Sequence, residues 1–329
     1  MLKLFRNNMV LQVLLIIAAL VVLWLQPLLT PPTMVASPTD GVLYTLLLSA
    51  LSTAPRAAVI IAMILIFAEG VLLNLLLSNM GLVPQTSLLP TLLFIVFMSA
   101  PATTLTPMIL VTGALIACVH QLMLRGTLLA ISTEHICSAT ALIGLCSMFY
   151  VPALAILVSY LLVAVSFRLY SWREVAALFL GIMAPYILLI TILYLTGNLT
   201  IWWNLTTANF GQFGIQIAHM DTLPLIANIV LILVFAASIF ILWGHLGEHP
   251  VVWQKNASTV MLVSVGSLVM LFLSTLLPAN PAFFAVPFAL CGTHMLMPAN
   301  TYHTRGRSKQ RLWIYDLLFI ITFAAALVC

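Results

Sequence analysis

The sequence predicts an all-α, polytopic transmembrane helical bundle of about 11 membrane segments with no soluble domain, and three observations support this fold class. Of the 329 residues, 64% are hydrophobic and only 5% are charged, against about 25% charged in an ordinary soluble domain. Apolar stretches of about 17 to 22 residues recur along the chain, and each can cross a hydrocarbon core as a helix. The few basic residues fall on alternate connections between these stretches, as the positive-inside rule requires. So few charges exclude a water-soluble enzyme.

Eleven apolar windows, separated by Pro, Gly and polar residues, are predicted to cross the membrane. They are residues 9–29, 57–77, 88–104, 105–124, 135–149, 150–167, 175–195, 222–243, 258–277, 279–297 and 312–328. Segment 135–149 is short, so a re-entrant path is an alternative to a full crossing. Residues 41–51 are too short to span and are predicted to lie along the outer interface. The whole chain, residues 1–329, then forms a single transmembrane domain.

The basic residues also predict the orientation of the bundle. If the N-terminus lies in the cytoplasm, alternation places ten of the eleven basic residues on that side and only Arg56 outside. The C-terminus is then predicted to be periplasmic. Arg125 and Arg168 both stay inside only if the stretch between them crosses twice or dips and returns, and Pro152 is the predicted break. Trp24, near the end of the first segment, is expected in the headgroup layer.

Several other classes of protein find no support in the residue pattern. The apolar stretch Met9–Leu29 is about twice the usual length of a signal-peptide core, so it is predicted to be the first membrane helix. The five cysteines lie inside apolar segments without CxxC spacing, so they are interpreted as small packing residues. The chain carries no nucleic-acid motif and no glycine-rich phosphate loop. The sequence therefore predicts no metal, no cofactor and no nucleic-acid partner.

An ionisable residue, Glu69, lies inside the second segment, within "MILIFAEGVLLN". Burial in hydrocarbon disfavours the charged form, so this carboxyl group is expected to be protonated or paired. One interpretation is a proton, ion or substrate site; the other is a hydrogen bond to a neighbouring helix that fixes packing beside Gly70. His120 is the predicted partner, because Gly113 and Ala117 give its helix face a small-residue stripe that allows close approach. The alternative for His120 is a packing histidine.

The fifth segment carries a second small-residue stripe. Its members are Cys137, Ala141, Gly144 and Met148. Small side chains allow the backbones of two membrane helices to approach closely. This segment is therefore predicted to lie inside the bundle, not against lipid.

The outer side offers one candidate catalytic pair. Asp40 lies in the first outer loop, "PPTMVASPTDG", and Arg56 opens the second helix. A carboxylate base and a phosphate-binding arginine on one face are suited to transfer from a lipid-linked sugar. The alternative is that Asp40 is a solvated aspartate at a turn.

A second candidate binding site lies on the cytoplasmic side, in "FRLYSWREVAALFLG". Ser171 and Glu174 form a capping-box pattern that predicts a helix start. Arg168 and Arg173 flank this helix N-terminus, whose free N–H groups favour anions. The pattern predicts a site for an anionic headgroup or a phosphate, with topological anchoring as the alternative.

Three blocks of the sequence resemble a known family. They are "LKLFRNN" at the start, "LLNLLLSN" at 72–79, and the run from "TALIGLCSMFYVPAL" through "SWREVAALFLGIMAPYILL" at 140–189. The chain resembles the uncharacterised multipass integral inner-membrane proteins of Bacteroidota, with a family-like core at about 72–190. The resemblance implies a multipass fold in a Gram-negative inner membrane. It implies no activity.

Three functions are compatible with these residues. The first is an envelope-biogenesis protein that handles a polyprenyl-linked or phospholipid intermediate, like a compact glycosyltransferase, with Asp40 as base and Arg56 as phosphate contact. The second is a non-catalytic subunit that packs laterally against membrane-protein partners. The third is a small transporter that uses Glu69. In each case membrane lipids are the expected surroundings.

Overall fold

The computed structural model describes residues 9–32, 40–100, 104–127, 133–166, 172–197, 199–200, 203, 222–273, 281–296 and 308–328. Within these ranges the secondary structure is helical, and the one extended pairing is an isolated bridge between Asp40 and Tyr150. The predicted all-α class is therefore confirmed.

Thirteen α-helices make up the described part of the chain. They are α1 (Met9–Leu23), α2 (Leu25–Leu29), α3 (Val42–Leu51), α4 (Pro55–Asn79), α5 (Leu89–Ser99), α6 (Pro107–Thr127), α7 (Thr133–Phe149), α8 (Ile156–Ser166), α9 (Trp172–Leu195), α10 (Thr222–His245), α11 (Val251–Leu273), α12 (Ala285–Leu296) and α13 (Ser308–Val328). Short 3₁₀ turns at Val151–Ala155, Leu246–Glu248 and Pro281–Phe284 precede or follow three of them. Each predicted segment coincides with one helix or with a helix and an adjoining short one.

Four helices are long and apolar enough to cross a membrane: Pro55–Asn79, Pro107–Leu124, Trp172–Leu195 and Leu225–Glu248. The structure therefore agrees with a membrane protein, while the number of crossings stays a prediction. Most apolar side chains of α9 are exposed, among them Phe179, Leu180 and Leu188. Such a surface is compatible with contact to a bilayer.

Proline and glycine set the boundaries of the second predicted segment. Pro55 occupies the first turn of α4, where its missing N–H costs nothing. At the other end Gly81 adopts a positive φ of 69°. The N–H of Leu82 donates to Leu77 O (2.9 Å) and that of Gly81 donates to Ser78 O (3.0 Å). This Schellman motif stops the helix and turns the chain back toward α5.

Two short helices fill the centre of the bundle. Every residue of α5 is buried, and so is every residue of α12 except His294, which is half-buried. The rings of Phe97 and Phe288 stack with centroids 3.8 Å apart, and Gly292 lies against Leu93, so the two helices run antiparallel. At about 1.5 Å per residue each is about 16–18 Å long, roughly half of a hydrocarbon core. Protein, not lipid, surrounds them.

Helices α7 and α9 form an intimate interface through reciprocal glycines. A Cβ on Gly144 would come within 2.8 Å of the Ile182 carbonyl and 3.0 Å of Pro185 Cγ. On the opposite helix, a Cβ on Gly181 would collide with Thr140 Oγ1. The small-residue stripe predicted on the fifth segment therefore does lie inside the bundle. Pro185 lies within α9, which continues through it.

Residues that were predicted to lie on the outer side meet at one end of the bundle. Asp40 bridges Tyr150. Tyr44 donates its hydroxyl to Leu105 O (2.9 Å), and the ring of Tyr150 stacks near that of Phe283, with centroids 6.2 Å apart. Below, this end is called the Asp40 end.

Residues that were predicted to lie on the cytoplasmic side meet at the other end. Asn256 donates to Met80 O (3.5 Å), His294 Nε2 donates to Leu82 O (3.0 Å), and His135 donates to Gln121 Oε1 (2.7 Å). Helix α7 therefore runs from this end toward the Asp40 end, and whether it crosses the membrane fully stays a prediction. Its 3₁₀ turn to α8 contains Pro152, the predicted break.

Trp24 is an exception to the sequence-based expectations. It is fully buried rather than placed in a headgroup layer, and its indole N–H donates to Ser99 Oγ (2.9 Å). An indole N–H needs a partner when it is buried, and the end of α5 supplies one.

Candidate functional site

Asp40 is held rigidly against the bundle. It is 4% exposed, so it is not a solvated loop residue. Next to its bridge with Tyr150, the N–H of Gly41 donates to Phe149 O (2.9 Å). A Cβ at Gly41 would collide with the Met148 carbonyl, so only glycine allows this approach. The backbone of Asp40 is thus fixed by these contacts at the start of α3.

Tyr44 lies one helical turn after Asp40 and is 3% exposed. Burial raises the pKa of the Tyr44 hydroxyl, and the nearby Asp40 carboxylate raises it further. The phenol therefore stays protonated and keeps its hydrogen bond to Leu105 O. A fixed carboxylate beside a buried neutral phenol can accept a proton from a substrate hydroxyl.

Arg56 lies in the first turn of α4, which follows α3 after a short connection, and its side chain is exposed. The structure thus places Asp40 and Arg56 on neighbouring elements but buries the first and exposes the second. An exposed guanidinium at a bundle end suits bidentate contact with a phosphate. Whether the two act together stays a prediction.

The predicted cytoplasmic anion site is described only in part. Helix α9 begins at Trp172, so the predicted helix start agrees with the structure. Arg173 is exposed and Glu174 is half-buried in the first turn. Arg168 and Ser171 lie outside the described residues, and the anion site stays a prediction.

Glu69 lies where α4, α5 and α6 meet, and it is 5% exposed. Its Oε1 is so close to Gly113 that a Cβ there would come within 2.9 Å of it. Its Oε2 is buried and has no hydrogen-bond partner. The adjacent Gly70 faces α5, where Thr91 donates its hydroxyl to Gly70 O (3.0 Å). The carboxyl group therefore occupies an apolar niche made by glycine.

His120 does not occupy the position that the sequence predicts. It is half-buried and lies seven residues after Gly113 on α6, about 10 Å farther along the helix axis. Across the residues that the structure describes, no hydrogen bond joins Glu69 to His120. The predicted small-residue face exists on α6, but the Glu69 side chain itself fills the space beside Gly113.

Sequence reasoning missed a polar and aromatic cluster at the end opposite Asp40. The ring of His249 stacks on Trp253 (centroids 3.8 Å apart), and His294 meets the same indole edge-on (5.0 Å). Asn256 is 1% exposed and reaches the turn that contains Gly81. The signal in the sequence is Trp253 and Asn256 at i and i+3 on one face of α11, with His249 just before the start of that helix.

The described residues contain no group of three His, Cys, Asp or Glu side chains that could hold a metal ion. No protein-family model, no curated protein and no solved structure matches this chain. The resemblance to Bacteroidota inner-membrane proteins therefore stays a prediction. A functional assignment rests on the geometry alone.

Proposed function

We propose that this chain is a multipass protein of a bacterial inner membrane that handles a polyprenyl-linked or phospholipid intermediate of the cell envelope at its Asp40 end. One observation carries the proposal. The residue that sequence reasoning singled out is buried, and its backbone is held by the bridge between Asp40 and Tyr150. A surface loop gains nothing from such a constraint, whereas a catalytic base must be held in a defined position.

The proposed chemistry follows that of a compact glycosyltransferase. Asp40 takes the proton from an acceptor hydroxyl, whose oxygen then bonds to the anomeric carbon of the sugar. The bond from that carbon to the lipid phosphate breaks, and the phosphate oxygen leaves with the electron pair. Arg56 pairs with this phosphate and stabilises its charge.

The grouping of contacts supports the proposed orientation. The contacts of Tyr44, Leu105, Tyr150 and Phe283 join only segments that alternation puts outside. In the proposed orientation the N-terminus is cytoplasmic, the C-terminus is periplasmic, and the Asp40 end faces the periplasm. Membrane lipids then reach Asp40 and Arg56 laterally.

The test measures lipid retention and turnover together. Purified protein in mild detergent is incubated with a polyprenyl-phosphate-linked hexose, and bound and converted lipid are measured by mass spectrometry. Asp40→Asn should retain the lipid but lose conversion, and Arg56→Gln should weaken retention. Asp316→Asn, on α13, is the matched control. The proposal would be contradicted if wild type and the three variants gave the same result and none of them retained the lipid.

The packed centre of the bundle favours a second candidate, a non-catalytic subunit of an inner-membrane complex. Every residue of α5 is buried, and Phe97 and Phe288 stack where a substrate cavity would otherwise lie. Gentle detergent purification separates the two functions. A membrane protein that copurifies in stoichiometric amount, without any enriched lipid, would favour the subunit.

A further inference from the structure

Among the described residues, one polar group reaches the Glu69 carboxyl, the backbone N–H of Gly113, and no cation lies beside it. On α4 itself the other charged residue is Arg56, thirteen positions away. Helix α5 carries no titratable residue, and its nearest hydroxyl, on Thr91, already donates to Gly70 O. On α6 the titratable residues begin at Cys118, more than one turn beyond Gly113. Helices α2 and α3, which also pack against α4, carry no charged residue. In the described part of the chain no cation lies beside Glu69, and Oε2 has no hydrogen-bond partner.

Glu69 lies far from both ends of α4, so water at the ends of the helix does not solvate its carboxyl group. It lies about 21 Å from the start of the helix and about 15 Å from its end, at 1.5 Å per residue. Water at that depth could reach the carboxyl group only by separating helices. Oε2 is buried and has no hydrogen-bond partner, and Oε1 lies against Gly113. With one backbone N–H as its polar contact, the packed arrangement favours the neutral acid over the ionised form.

We propose that Glu69 is a proton-binding site inside the membrane, neutral in the packed bundle, and that loss of its proton requires α4 and α6 to separate at Gly113. The ligand is a proton, and the moving contact is the one between Glu69 and Gly113. This inference is independent of the function proposed for Asp40. The proposal implies that loss of the proton from Glu69 is coupled to a conformational change near the middle of α4.

Carbodiimide labelling tests the protonation state directly. The acid transfers its proton to one nitrogen of dicyclohexylcarbodiimide, the carboxylate oxygen bonds to the central carbon, and the acyl group then migrates to nitrogen. The whole reagent is added and nothing leaves. This apolar reagent reaches Glu69 when α4 and α6 separate transiently, and it should then label the neutral acid. N-acetylglutamic acid α-amide, dissolved in the same sample, is the reference carboxyl group.

The expected result is a difference in pH dependence. The neutral fraction of a free glutamate side chain falls about tenfold per pH unit above its ordinary range. The labelling of Glu69 relative to the reference compound should therefore rise by about tenfold per unit between about pH 5 and pH 7. A ratio that stays constant over this range would overturn the proposal, and so would absence of label on Glu69 under conditions where hydrogen exchange shows that α6 opens. Glu69→Gln should lose the label on that peptide alone.

Hydrogen exchange in α6 tests the opening. Exchange of the peptide around Gly113 is compared between wild type and Glu69→Gln at the same pH, which cancels the intrinsic effect of pH. The exchange rate in wild type divided by that in Glu69→Gln should be near one in acid. It should rise in alkali, because the Glu69 carboxyl of wild type can ionise and the glutamine amide cannot. Gly113→Ala should raise exchange even in acid, whereas Gly244→Ala, whose Cβ meets nothing within 4 Å, should not. A wild-type ratio that stays at one up to strongly alkaline pH would refute the coupling.

Discussion

Gln12 on α1 and Trp24, which directly follows α1, form hydrogen bonds near the two ends of α5. Gln12 is 1% exposed; its amide nitrogen donates to Thr86 O (3.1 Å) and its oxygen accepts from the Leu88 N–H (2.8 Å). Trp24 donates to Ser99 at the other end of α5. The two residues are twelve positions apart, which at 1.5 Å per residue is about 18 Å and close to the length of α5. The stretch from Gln12 to Trp24 therefore contacts the buried helix α5 near both of its ends.

Replacement of Gln12 should release the first of these ends. Gln12→Leu keeps an apolar volume but leaves the buried Leu88 N–H without its acceptor, which costs about 1–3 kcal/mol. The melting temperature in detergent should fall accordingly. Gln26→Leu, at an exposed position on α2, is the control and should change it little. Equal melting temperatures for the two variants would show that the hydrogen bonds of Gln12 contribute nothing to stability.

The contact between α7 and α9 depends on glycine on both helices. Gly144 and Gly181 bring the two backbones together, and Ser147 and Tyr186 add a hydroxyl contact of 2.6 Å. Apolar burial alone does not drive association in lipid, so close packing and such polar contacts must stabilise this pair. Helix α9 is otherwise largely exposed, so this one interface fixes its position.

Gly181→Val should therefore displace α9 more than any change on its exposed face. The added branched side chain would collide with Thr140 and the Cys137 carbonyl, and overpacking of this kind costs about 1–3 kcal/mol. Thermal stability and limited proteolysis of α9 would both report the change. Leu180→Val, on the exposed neighbour, should leave both unchanged. A stable Gly181→Val protein with protected α9 would show that the interface can adapt.

Local signals in the sequence predicted the helices well, for physical reasons. Pro55 and Pro152 mark a helix start and a break because proline lacks an N–H, and the small-residue stripes mark close helix contacts. Hydropathy, however, measures composition and not the path of the chain. It therefore predicted full crossings at 88–104 and 279–297, where the helices α5 and α12 are shorter.

Long-range partners were beyond the reach of a single sequence. Nothing local to Asp40 indicates that it meets Tyr150, and nothing local to Glu69 selects Gly113 over His120 two turns later. Both contacts are set by the way that distant helices pack. The site residues were thus identifiable by type and depth, whereas their partners were not.

The whole molecule has two distinct ends, and this polarity makes the orientation testable. Contacts at the Asp40 end join segments that alternation assigns to one side, and those around Gln12, Met80 and His294 join segments assigned to the other. Helix α1 runs parallel to α5, in agreement with the predicted alternation. The positive-inside rule predicts that the second end is cytoplasmic.

Cysteine accessibility decides the orientation. In a variant whose five native cysteines are replaced, Phe210→Cys should react with an impermeant maleimide in intact cells, and Ser308→Cys only after permeabilisation. The reason is that ten of eleven basic residues lie on connections assigned to the side of Ser308, where positive charge resists translocation. Leu93→Cys, fully buried in α5, should react in neither condition. The reverse pattern at Phe210 and Ser308 would place the Asp40 end in the cytoplasm, and equal reactivity of both in intact cells would mean an even number of crossings between them.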